Sequence, residues 1–247
     1  MSVNVGVTRE LEFRAGQAVR TKNVRGPMKE RLKHFKDDFM VDTLNTNAWA
    51  LSVPGTSDTI AIAEVAGGGE ALLTTGTADN DSSMLASPII YRGTDASQFE
   101  VRLTIDDVSG CGVFVGFSDA KSESNNSVAI HYPGDTLTTV ASTAVGFVID
   151  ADHSSSSIMI ESVDGDTDGT SVDVGVDWTD GEERDLRVVL DTDGNASFYI
   201  DGDSVGYVAS AVTVSTLMCF TVQVITRAND GANTIQLRRV DIWTNEV

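Results

Sequence analysis

The chain has 247 residues, 41% of them hydrophobic, with 22 glycines, four prolines and a formal net charge of −20. That length allows one large β domain or two small ones, and no apolar run approaches the roughly 18 residues that a membrane helix needs, so a membrane protein is not expected. Charge is segregated: residues 1–36 hold nine Lys or Arg against three acids, a net of +6, and residues 37–247 hold eight against 34, a net of −26.

The opening MSVNVGVTRELEFRAGQ shows neither the apolar stretch nor the cleavage site of a secretory signal, so synthesis in the cytoplasm is expected. Residues 1–36 hold only scattered apolar side chains and read as an extended basic arm. Beyond Pro27, Met28, Leu32 and Phe35 fall at i, i+4 and i+7, which predicts one short amphipathic helix with a basic outer face. A helix of about ten residues is marginal in water and needs a surface to pack on. The acidic body repels DNA and the arm lacks interleaved aromatic residues, which disfavours nucleic acid. The arm is therefore expected to dock on a neighbouring protein subunit, with a homo-oligomer as one outcome. Arg9, Arg14, Arg20, Lys22, Arg25, Lys29, Arg31 and Lys33 would steer it, and Met28, Leu32 and Phe35 would bury the helix.

From residue 58 onward, short runs rich in Val, Ile, Thr, Phe and Tyr are broken every 8–12 residues or so by Gly, Asp, Asn and Ser, the pattern of an all-β sandwich. In FEVRLTID, Phe99, Val101, Leu103 and Ile105 share one face and Glu100, Arg102, Thr104 and Asp106 the other, which predicts antiparallel sheets with one face in the core and one in solvent. LDTDGNASFYIDGDSVGYV, with Asp193-Gly194 and Asp201-Gly202, reads as a three-strand meander. Cys111 and Cys219 lie in apolar runs and are expected as buried free thiols.

Few strings carry chemistry. GDSVG, Gly202 to Gly206, matches a nucleophile elbow, but it leads into another strand and no His follows Ser204; a hairpin turn is expected. DGDTDG places Asp164, Asp166 and Asp168 at i, i+2 and i+4 before Gly169, the first half of a calcium loop, yet the twelfth position is Gly175 rather than a bidentate Glu. Calcium is the ion such a loop would take, and a solvated acidic turn is the competing reading. Two distant Cys and three scattered His do not supply a zinc site. Trp49, Trp178 and Trp243 lie near strand ends and are expected to pack in the core or at its edge rather than to form a sugar platform.

The stretch DDFMVDTLNTNAW, Asp37 to Trp49, the multi-strand body and the hairpin DLRVVLDTDGNASFYIDGDSVGYV together resemble the concanavalin-A-like (laminin-G-like) jelly-roll superfamily over about residues 37–247. The resemblance implies an antiparallel jelly-roll β-sandwich, with the basic arm and its helix at residues 1–36. Laminarinase-type members carry Glu-x-Asp-x-x-Glu on one strand, and FEVRLTIDD and ESVDGDTDG lack that spacing, so no enzyme is expected. The arm, this fold and the missing enzyme signature also resemble virion-associated proteins of tailed bacteriophages, such as capsid decoration or head-fibre proteins. That implies a structural protein of a virion held by its arm to neighbouring capsid or other virion subunits; the alternative is a carbohydrate-binding, lectin-like module with a glycan ligand.

Overall fold

The computed structural model describes residues 9–14, 17–22, 31–55, 57–65, 68–120, 128–155, 157–227 and 231–246, with side chains described within residues 33–245. Among these residues there is no helix, and strands numbered in chain order build two large antiparallel sheets. The first sheet runs through β14 (Thr167–Asp168), β13 (Ser157–Asp164), β12 (Ala144–Asp150) and β9 (Cys111–Ser118). It continues through β19 (Cys219–Thr226), β7 (Ser82–Ala86) and β4 (Ala50–Ser52), with β15 (Val172–Asp177) also paired to β13. The second sheet runs through β18 (Asp203–Val208), β17 (Ala196–Ile200), β16 (Glu183–Leu190) and β8 (Gln98–Ile105). Beyond these lie β20 (Thr234–Glu246), β6 (Gly68–Thr74) and β5 (Thr59–Val65), and β3 (Arg31–Asp37) also pairs with β20. Two small hairpins complete the set, β1 (Arg9–Arg14) with β2 (Gln17–Lys22) and β10 (Ile130–His131) with β11 (Thr138–Thr139). The architecture is a jelly-roll β-sandwich.

The core lies between the inner faces. Phe99, Val101, Leu103 and Ile105 are fully buried, as their alternation predicts, and Phe99 meets Phe117 and Phe220 at centroid distances of 5.2 and 4.9 Å. The meander β16–β17–β18 forms as expected. Asp201 and Gly202 take φ of 52° and 91° at its second turn, left-handed values that suit a tight hairpin.

The helix expected after Pro27 is replaced where the structure describes the chain. Arg25, Met28 and Lys29 lie outside the described residues, but from Arg31 the backbone is strand β3, in register with Val240–Glu246 of β20 over seven residue pairs. β6 pairs β20 only as far as Leu237, so the rest of that edge carries backbone groups in need of partners. A ladder of seven pairs satisfies them and outweighs a marginal ten-residue helix. Phe35 turns inward on its own domain, edge-to-face with Trp49 at 5.3 Å, while Asp37 accepts hydrogen bonds from Trp49 Nε1 at 2.7 Å and from the Phe39 amide at 2.8 Å. Arg9, Arg14, Arg20 and Lys22 lie in β1 and β2, and Arg31 and Leu32 in β3, with side chains outside the described residues.

Candidate functional site

Over its central strands the outer face of the first sheet is not open to solvent, a departure from the one-face-wet expectation. Every residue of β9, β12 and β19 is buried, because the segment from Val128 to Ala141 lies over them and forms a second core with Phe114, Val148 and Met159. Gly116 and Gly146 face each other across β9 and β12, and a Cβ on them would stand 2.7 and 2.9 Å from the Phe114 ring. Only glycine lets that ring lie across the sheet. Ala129 N donates to Gln223 Oε1 at 2.6 Å and Tyr132 N to Asp150 Oδ2 at 2.9 Å, tying the segment down.

Beneath it sit polar groups that the sequence did not single out. Glu161 is fully buried on β13 and accepts from the Tyr132 hydroxyl and, at 3.0 Å, from the Ser171 hydroxyl. Desolvation raises its carboxyl above the usual range, and the two hydroxyl donors moderate that rise. Arg227 clamps Asp150 through Nη2–Oδ2 at 2.5 Å and Nε–Oδ1 at 2.9 Å, with both side chains buried. Burial, then the nearby Arg227 charge, lowers the His131 pKa. Arg227 had a faint sequence signal, a lone cation closing the apolar run MCFTVQVIT.

Two clefts open beside this covered face. The end cleft, of about 430 Å³, is built from the β8–β9 turn, the β12–β13 loop and the β15–β16 loop. Trp178 borders it but is only 5% exposed and packs in the main core, as its place near a strand end predicts, fixed by an Nε1 hydrogen bond to the Glu182 carbonyl at 2.9 Å. His153 lines it with its ring 4.4 Å from that of Tyr132, Asp180 is held by the Val108 amide at 2.8 Å, and Ser109, Ser154, Ser155 and Thr179 add hydroxyls. Among the described residues no Lys or Arg lines this cleft. A lining of hydroxyls, carboxylates and an imidazole suits a small neutral polar ligand better than an anion.

The edge cleft, of about 540 Å³, lies between β13–β14 and β18 and is lined by Ser162, Asp164, Thr167, Asp168, Thr170 and Tyr207, among others. Tyr207 is 60% exposed. The three aspartates read as half a calcium loop fall here and do not converge. Thr213 donates to Asp164 at 2.5 Å and Thr139 to Asp168 at 3.0 Å, while Asp166 is exposed in the β13–β14 turn with φ 62°. Among the described residues no group of three or more His, Cys, Asp or Glu is placed to hold a metal ion. The loop is a tight hairpin in which Asp164 and Asp168 are anchored by hydroxyls. Ser204 of GDSVG lies exposed on β18 opposite Tyr199. Cys111 and Cys219 are both buried, and desolvation pushes the Cys111 thiol up.

No family model and no curated protein matches the chain. Solved structures of similar fold include the carbohydrate recognition domain of Emp47p, with TM-score 0.58 and 14% identity, covering 85% of this chain and 94% of that one. A Bacteroides ovatus GH16 protein of the mixed linkage glucan locus has TM-score 0.58 and 12% identity, covering 84% and 99%. LamA of Z. galactanivorans, solved with laminaritriose and laminaritetraose, has TM-score 0.59 and 11% identity, covering 85% and 97%. These likenesses establish the jelly-roll fold that lectin domains and glycoside hydrolases share. They also overturn the expectation that the chain is no enzyme, since the same fold carries hydrolases in several of the similar structures.

Proposed function

We propose that the chain is a carbohydrate-binding protein whose end cleft takes a neutral sugar. The observation that carries this reading is the cleft itself, lined by His153, Asp180 and serine and threonine hydroxyls beside the largely buried Trp178, with no Lys or Arg among the described lining residues. The named ligands of proteins with this fold, mixed linkage glucan and laminarin-type oligosaccharides, give the first compounds to try. Calorimetric titration of these oligosaccharides should show binding to the full chain and loss of it in Ser154→Trp, which fills an exposed position on the cleft wall. Binding should persist in EDTA, because among the described residues Asp164, Asp166 and Asp168 form no group placed to hold a metal ion. Reducing-sugar release from the same glucans distinguishes a hydrolase from a binding module. Equal affinity in wild type and Ser154→Trp overturns the assignment of the cleft.

A second reading concerns where this module is held. The +6 of residues 1–36 against the −26 of the remainder favours attachment of the arm to an acidic partner surface, as in a virion shell. Self-association of the full chain that is lost on deleting residues 1–30 or in high salt supports it, and a monomer at every ionic strength opposes it.

A further inference from the structure

We infer that the two clefts are the ends of a single site for one extended, neutral glycan chain lying along β15; the inference rests on the carbohydrate-binding reading above. Val172, the first residue of β15, lines the edge cleft, and Trp178, Thr179 and Asp180, which follow its last residue, line the end cleft. β15 is bulged at mid-span: Val172 pairs with Ile160 and Asp177 with Ser157, so the paired length is three residues of β13, about 10 Å at about 3.3 Å each, a span that calls for more than one sugar unit.

The surface between the clefts is polar and open. Along β15, Asp173, Gly175 and Asp177 are exposed while Val172, Val174 and Val176 turn toward the core. Gly175, at φ 65°, has no atom within 4 Å of where a Cβ would stand, so a ligand can approach the backbone at mid-span. Ser155, itself part of the end cleft, donates to Asp173 at 2.9 Å, and Ser157 donates to Asp177 at 3.3 Å. Hydroxyls and carboxylates therefore run from one cleft to the other, and among the described residues neither lining contains a Lys or Arg. Carboxylates accept hydrogen bonds from sugar hydroxyls and repel uronates and sulfates.

Two footholds on one ligand make the second contact intramolecular, so affinity rises steeply once the ligand spans both and not before. Linear neutral glucan oligosaccharides of increasing length, titrated against the full chain, should show a step of about 100-fold or more at the length that bridges the clefts. Ser154→Trp in the end cleft and Thr170→Trp in the edge cleft, both at exposed positions, should each return long oligosaccharides to the affinity of short ones. A polyuronate of equal length should bind at least tenfold more weakly. Affinity independent of length, with short oligosaccharides still bound, overturns the bridged site and leaves the carbohydrate reading intact. Absence of binding at every length overturns that reading itself.

Discussion

Glu161 shows how one side chain reports the layer above it. A carboxyl whose folded pKa lies above its unfolded value of about 4.3 adds to stability only while protonated. That contribution is full below the unfolded value and is lost as pH rises through the folded one. Glu161 is such a group, raised by burial beneath the Val128–Ala141 segment and held by Tyr132 and Ser171. Glu161→Gln keeps an acceptor for Tyr132 and removes the charge. Urea melts should show the variant matching wild type near pH 4 and surpassing it at pH 8, by about 1.4 kcal/mol for every tenfold displacement of the proton equilibrium. A less stable variant at pH 8 would mean that the surroundings favour the carboxylate. In the sequence Glu161 sits in SSIMIES, where it reads as the wet half of an alternating strand. Its burial is decided by a segment some twenty residues earlier in the chain, which no local pattern reveals.

At the level of elements, most strands were legible because one face is apolar and the turns between them carry Asp-Gly or Asn. β8, β16 and β17 follow the alternation from Phe99 to Leu103, from Leu186 to Leu190 and from Ala196 to Ile200, and only Thr104, on the outer face of β8, is buried against it. β9, β12 and β19 do not alternate, and their largely apolar runs were the available sign that both faces are covered. β3 was misread because Met28, Leu32 and Phe35 satisfy a helical stripe, whereas pairing with β20 is a contact across more than two hundred residues. The clefts were illegible for the same reason, since each assembles loops that only the sheet register brings together. If β3 belongs to the sandwich, Phe35→Ala should destabilise the fold by about 2 kcal/mol, through lost burial and the edge-to-face contact with Trp49. Lys36→Ala, on the exposed face of the same strand, should stay within about 0.5 kcal/mol. Equal, small effects in chemical denaturation would place Phe35 outside the core.

Across the whole molecule, charge sets two electrostatic terms of opposite sign. Arg102, Arg184, Arg187, Arg238 and Arg239 gather in β16, β8 and β20 of the second sheet. There Arg102 pairs with Asp185 at 2.6 Å, Arg238 with Glu183 at 2.9 Å, and Arg239 with Glu100. These are half-exposed pairs, each worth about 0.2–1 kcal/mol and weakened by salt. Concentrating five of the eight body cations there leaves the rest of the surface with a large excess of acids, toward a net of −26 over residues 37–247, and that repulsion is also weakened by salt. The Debye length falls from about 30 Å at 0.01 M to about 3 Å at 1 M, so added salt removes the repulsion across the whole body, whereas short pairs within the network are screened less. The repulsive term should win: the melting temperature should rise between 10 mM and 1 M NaCl, with the steepest gain below 0.2 M, where the screening length passes through the spacing of surface acids. A fall over that range in differential scanning calorimetry would show instead that the arginine network outweighs the acid excess, and Arg102→Gln should then abolish most of the salt response.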